Sequence, residues 1–448
     1  MIPNKSKKQL TKNLLSLTIV QVATYVLPLV SVPVVSRIIG PARYGEINFA
    51  AAYIAYFTLL ISYSFDFSAT RKISKDPNNI DNRNRVFSEV FYTQCLLFLF
   101  STLAFIALLY SVPELKSNKT IMIFSYSLCI STLFTQNWLF QAMQDLSKVA
   151  LFNLISKVLF TITILMIVRK NGDYIWQPFL IGVIQSIIAI WSFLWAFKNY
   201  KIKFVKIPFR ACLKVLWEER IIFFSLVFVN FYSTTNTVIL GLYQNVEQVG
   251  YYTAAQRLII IAQSVLAMPL AQAFYPYIGK AFGASKDEGM RVAQKLIPLI
   301  IIFIGVASVI MLILGPFVIR IFYGSKFEQA IPIFQILTIV PLIFSLNNVL
   351  GIQIMLNLKM DKAFFKVTAA AGILSILLNL LMIKQWGYIG TTFNWLITEV
   401  FIFISMYIIL KRAGLNAINL EYFKFSSLNE YLIPIREKFF QGNKNKNA

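Results

Sequence analysis

Apolar residues run along this chain in stretches too long for an amphipathic surface helix and without the two-residue alternation of a half-buried strand. Twelve such stretches can be marked, at about residues 14–36, 47–68, 86–110, 119–142, 149–168, 174–197, 221–243, 250–276, 292–319, 330–358, 363–384 and 388–410. Each reaches the roughly 20 residues that a helix needs to cross about 30 Å of hydrocarbon. The predicted fold is an all-α polytopic membrane protein with twelve transmembrane helices. Prolines inside several stretches, Pro28 and Pro33, Pro269 and Pro276, Pro332 and Pro341, each remove an intrahelical bond and are expected to bend their helices.

Two short patterns recur. IIGPARYGEINFAAAYI follows the first stretch and LYQNVEQVGYYTAAQRLI follows the seventh, so that Gly45 aligns with Gly250 and Ala50 with Ala255 at an offset of 205 residues. LFQAMQDLSKVALF and GIQIMLNLKMDKAFF pair Gln141 with Gln353 at an offset of 212. These echoes predict two pseudo-symmetric six-helix bundles, residues 1–207 and 208–411, followed by an amphipathic and disordered cytoplasmic tail, 412–448. Six helices is an even number, so both bundles enter the membrane the same way round. Parallel repeats of this kind place a central cavity between them and work by rocking.

Charge supplies the orientation. With both termini cytoplasmic, the inner segments hold 31 of the 42 Lys and Arg and the outer loops hold 9, which is the asymmetry of the positive-inside rule. The net charge of +23 therefore reads as topology and contact with membrane lipid, and nucleic-acid binding is not expected from basic residues scattered over short loops. The segment 198–220 interleaves cations with apolar residues and reads equally as an interfacial segment or as a solvated linker. Only 14% of residues are charged, against roughly 25% in soluble domains. The basic start leads straight into a full-length span with no small-residue cleavage site, so no cleaved signal peptide is expected. Three cysteines at unrelated spacings suggest neither disulfides nor metal, there is no histidine, and no cofactor is expected.

Polar groups at depth carry the remaining information, because a central Lys, Arg or Asp costs about 2.5–3.5 kcal/mol on insertion scales. Lys157 stands near the middle of the fifth stretch, about 12 Å from either end at 1.5 Å per residue, too far for comfortable snorkelling. Arg257 lies in the eighth. The carboxylates are Asp66 and Glu89 near inner ends and Glu399 midway along the twelfth, the first two within reach of ion pairs with Arg71, Arg83 or Arg85. Gln21, Asn153 and Asn236 are amides at depth.

GPARYGEINFA after the first span, SFDFSATRKIS closing the second and NWLFQAMQDLSKVA leading into the fifth resemble the Wzx-type polysaccharide repeat-unit flippases, in the same superfamily as the MATE multidrug exporters. The resemblance covers nearly the whole chain up to about Lys411. It implies a MATE-like fold in the bacterial inner membrane that passes an undecaprenyl-diphosphate-linked oligosaccharide outward, without being an enzyme. A polysaccharide polymerase and a chain-length regulator are the implied protein partners. On that reading Lys157 and Arg257 hold the diphosphate, Gln21, Asn153 and Asn236 meet sugar hydroxyls, and Glu399, Glu89 or Asp66 exchange an ion. The alternatives are a multidrug exporter of the same fold and, disfavoured by the short outer loops and the lack of histidine, a membrane enzyme of polysaccharide assembly such as a polymerase or ligase. Without a Walker A pattern, ATP hydrolysis is not expected to drive transport.

Overall fold

The computed structural model describes residues 4–424, and within them every side chain except those of residues 4–26, 28–29, 228–229, 231–233, 272–273 and 276. The described chain is helical throughout, with no strand among these residues. Each of the twelve apolar stretches lies on helix.

The first two stretches form one element, α1 (Asn4–Ser62), interrupted only at Gly40, whose φ of 74° belongs to a residue without a Cβ. Sequence suggested a loop of about ten residues here. The turn instead takes a single residue, because Gly40 supplies the left-handed backbone and Pro41 restarts the helix where no N–H is required. Pro28 and Pro33 lie inside α1 without breaking it. The chain then runs through α2 (Phe65–Ser74), α3 (Ile80–Ser111), α4 (Pro113–Ser117), α5 (Lys119–Phe134), α6 (Asn137–Ala142), α7 (Leu146–Ile167) and α8 (Trp176–Asn199). α9 (Phe209–Ser233), α10 (Thr235–Tyr243) and α11 (Val246–Ala262) follow. A wide, π-type turn over Gln263–Ala267 precedes α12 (Met268–Ala284), just where Pro269 withholds the N–H that residue 265 would have accepted. α13 (Lys286–Tyr323), α14 (Ala330–Leu337) and α15 (Val340–Asn348) lead into a second π-type turn, Val349–Met355. α16 (Asp361–Arg412) carries the last two stretches, broken at Gly387 with φ 52°.

The chain divides into two compact units. One comprises the residues up to Ala254 with Phe317–Ile331 and Asn379–Thr391; the other holds Ala255–Pro316, Pro332–Leu378 and the residues from Thr392 onward. In the first, α5 packs along α8, and α1 along α5 and α7. One end of it is a cluster of aromatic rings around Phe87, which meets Phe91, Trp138, Phe193, Phe197 and Phe204 at centroid distances of 5.8 to 6.4 Å. The segment 198–220 is no free linker. Lys203 N donates to Asn84 Oδ1 and Val205 N to Ser88 Oγ, both at 2.9 Å, so the backbone is pinned along α3. In the second unit, Ile297, Ile304, Leu350, Ile354, Ala371 and Met406 form a dry core.

The outside of each unit inverts the soluble pattern. Along α3, Leu99, Phe100, Leu103 and Ile106 are exposed, and along α13 so are Phe303, Val306, Ile310 and Ile313. Contiguous apolar surface of this extent requires an apolar solvent. Eight helical stretches among the described residues are long and apolar enough to span a bilayer. The protein is therefore a multi-pass membrane protein.

This packing separates two kinds of large apolar residue. Phe87→Ala, emptying a site that is 1% exposed, should cost about 3–5 kcal/mol and lower the unfolding temperature of detergent-purified protein. Leu103→Ala, at a position 60% exposed, should leave that temperature nearly unchanged.

Candidate functional site: a polar cavity around Lys157

Two helix breaks in the first unit open a space among membrane-spanning segments. α1 ends at Ser62, Tyr63 adopts a left-handed φ of 51°, and α2 starts afresh at Phe65. α5 ends at Phe134 and α6 starts at Asn137. Irregular backbone at this depth is tolerated only where its polar groups find partners or face a cavity. Both conditions are met. Gln136 Nε2 donates to the Leu133 carbonyl at 2.8 Å and to Gln94 Oε1 at 3.1 Å, and Thr70 Oγ1 donates to the Asp66 and Trp138 carbonyls at 2.8 and 3.1 Å.

The space left is a cavity of about 330 Å³, near the lower end of the range for ligand pockets. α7 contributes Asn153, Ser156 and Lys157, residues that one helical face brings together because positions four apart are neighbours. α2 contributes Asp66, whose carboxylate sits in the first turn, where the helix dipole favours negative charge. Gln94, Asn137 and Gln185 add amides, and Phe65, Trp138, Phe140 and Phe152 add ring walls. The cavity thus offers a cation, a carboxylate, hydrogen-bonding groups of both kinds, and flat apolar faces. It is suited to binding a polar, phosphorylated or hydroxyl-rich group and keeping it out of hydrocarbon.

Of the residues singled out by sequence, the cavity collects Lys157, Asn153 and Asp66. Glu89 is elsewhere on α3, its Oε1 accepting from Arg85 Nε at 3.0 Å. Arg85 is 71% exposed, so that pair is worth about 0–1 kcal/mol. Asn236 on α10 is 1% exposed and accepts from Asn379 Nδ2 at 2.9 Å, an amide pair that joins α10 to the middle of α16. The side chain of Gln21 lies outside the described residues. Arg257 is exposed on α11, in the second unit.

Glu399, also in the second unit, is 3% exposed. Asn347 Nδ2 donates to its Oε2 at 2.8 Å and to its backbone carbonyl at 3.1 Å, and the Trp395 side chain supplies another hydrogen bond. No ion pair reaches it among the described residues. Only neutral groups hold this buried acid. Sequence reading passed over Gln94 and Gln185, although mid-span amides are the same signal that marked Asn153.

A family profile described as "Polysaccharide biosynthesis protein" matches residues 10–282, more than half of the chain. The chain belongs to that family. Among curated members of known sequence, a protein named "Putative O-antigen transporter" from Escherichia coli (strain K12) is 26% identical over 396 residues, spanning 88% of this chain and 95% of its own. A protein of the same name from Shigella dysenteriae is 25% identical, over 88% and 98%. Among solved structures, "Lipid II flippase MurJ, inward closed conformation" superposes with a TM-score of 0.74 at 15% identity, covering 95% of this chain and 92% of that one. An inward-facing MATE family multidrug resistance transporter of the MOP superfamily gives 0.70 at 12% identity, over 87% and 95%. The chain thus has the MurJ and MATE fold, as the family resemblance implied.

The buried acid yields a test of its surroundings. Asn347→Leu takes a donor from Glu399 and should destabilise by roughly 1–3 kcal/mol, the usual penalty for stranding a buried polar group. Glu399→Gln keeps an acceptor in place and should cost less. Thermal unfolding of the purified variants compares the two.

Proposed function

We propose that the protein is a flippase that carries an undecaprenyl-diphosphate-linked oligosaccharide, such as an O-antigen repeat unit, from the cytoplasmic to the periplasmic leaflet of the bacterial inner membrane. Lys157, set midway along α7 on the wall of a polar cavity, carries the reading. A sugar diphosphate loses several kcal/mol for each unpartnered polar group it brings into hydrocarbon. A cavity lined by a cation, amides and hydroxyls removes that obstacle. Lys157 provides a compact charge for phosphate, while Asn153, with Gln94 and Gln185, faces sugar hydroxyls; the polyprenyl chain stays in lipid. The curated relatives' names point to the same cargo.

Alternating access between two six-helix repeats, residues 1–207 and 208–411, would give the cargo its path, with both termini cytoplasmic. Arg257 and Gln21 remain candidates for the cargo's route outside the cavity, whereas Asn236 already serves as a helix-joining amide. With an inside-negative potential, export of an anion is electrically downhill by about 2.3 kcal/mol per charge per 100 mV. Glu399, buried among neutral donors, and Asp66, in the cavity, are the favoured sites for an exchanged ion; Glu89, already beside Arg85, is the weaker third. A polymerase and a chain-length regulator would receive the product.

A deletion strain tests this directly. Undecaprenyl-linked repeat units should accumulate on the cytoplasmic leaflet, and the wild-type chain should clear them. Lys157→Ala should lower surface polysaccharide about tenfold or more at equal protein level, since one charge-assisted contact is worth about 1.5–3 kcal/mol, and Lys157→Arg should retain part of it. Normal translocation in the deletion strain would end the proposal.

A further inference from the structure

Every loop that the charge pattern places outside belongs to the first unit, and four of the six, around residues 37–46, 244–251, 320–329 and 385–388, are fastened to one another. Tyr44 meets Tyr323 and Phe327 edge to face at 5.7 Å, and Tyr251 meets Phe327 and Tyr388 at 6.3 and 6.1 Å. The Arg37 guanidinium donates to the Arg320 carbonyl at 3.3 Å and also to that of Ile321. Tyr388 Oη donates to Gln329 Oε1 and Tyr388 N to Gln248 Oε1, both at 3.1 Å.

At the centre of this cluster two helices touch through bare backbone. A Cβ on Gly45 would overlap the Val246 carbonyl oxygen and stand 2.8 Å from the Gly250 nitrogen. A Cβ on Gly250 would overlap the Pro41 carbonyl oxygen. Neither glycine has a positive φ, so the requirement is close approach and not backbone conformation. The two contacts are also related to each other. Position 41 lies 205 residues before 246, and 45 lies 205 before 250, the offset of the sequence echo. Gly45 on Val246 and Gly250 on Pro41 are therefore one contact made twice, with i touching j and j touching i, as an isologous interface does about a two-fold axis.

We infer that this Gly45–Gly250 crossing is the latch that holds the outer end shut, and that release of cargo requires it to part. The inference rests on the alternating-access reading for its purpose, but its geometry does not depend on the cargo. Small residues let helices approach until backbones touch. Such a contact is lost outright when one helix shifts, because close-packed surfaces are bistable and not continuously deformable. A methyl group at either glycine would act as a wedge. Symmetry makes the two wedges equivalent, a consequence that a merely local packing defect would not have.

The test uses the full chain in nanodiscs, without cargo, with Cys95, Cys129 and Cys212 replaced by serine and a reporter cysteine at Ile47, which is 6% exposed beside the latch. The probe is a charged maleimide. In the background with both glycines, labelling should be slow; Gly45→Ala and Gly250→Ala should each raise its rate at least tenfold, and by similar factors. Should either variant fail to fold, Arg37→Cys with Ile321→Cys provides a second arm: joining them with a short bifunctional thiol reagent should suppress the quenching, by a water-soluble quencher, of a different reporter, a fluorescent non-natural residue at position 47. Alanine variants that fold and label at the background rate, or a cross-link that leaves access to position 47 unchanged, would overturn the latch. No transport is measured and no cargo is present, so these rates read the latch alone, while the deletion strain reads the cargo, and failure of one leaves the result of the other standing.

Discussion

A polar group taken into hydrocarbon must bring its partners with it. That constraint governs the backbone first, which is why every apolar stretch of this chain is helical, and then every side chain that departs from the apolar norm. Several breaks in the helices occur where glycine, proline or an amide side chain resolves them. Gly40 and Gly387 turn the chain between successive spans, the π-type turn at Gln263–Ala267 absorbs the N–H missing from Pro269, and Gln136 takes up the Leu133 carbonyl freed where α5 stops.

The same constraint sorts the polar residues at depth into two uses. Some satisfy one another. Asn236 and Asn379 share an amide contact, Asn394 Nδ2 donates to Ser375 Oγ at 3.0 Å, and Asn347 supports Glu399. These join helices that have no hydrophobic driving force to associate in lipid. Others line a cavity. Lys157, Asp66 and Asn153 stand around a space with aromatic walls, where they can also meet whatever enters it. A family of polysaccharide biosynthesis proteins built on the MurJ and MATE fold is a natural place for such a cavity.

Hydropathy revealed the helices, and the position of Glu89 near a span end that also carries Arg71, Arg83 and Arg85 suggested an ion pair, which it makes with Arg85. The depth of Lys157 and the single turn between it and Asn153 pointed to a shared polar face. Convergence was harder to read. Four helices, α3 to α6, separate Asp66 from Lys157 along the chain, and nothing local announces that α2 brings it to the same space. Depth alone also cannot tell glue from site, which is why Asn236, buried against Asn379, looked like Asn153 in sequence. The turn at Gly40 was read as a longer loop because the left-handed residue and the following proline compress ten expected loop positions into one.

The central claim is that water and polar cargo reach Lys157 within the membrane. Cysteines placed singly at Asn153, on the cavity wall, and at Leu159, on the same helix but 43% exposed on an apolar face, compare a site in water with a site in lipid. A charged thiol reagent should label Asn153→Cys in the reconstituted protein far faster than Leu159→Cys. Equal, slow labelling at both positions would mean that the cavity is closed to water, and the account would fail with it.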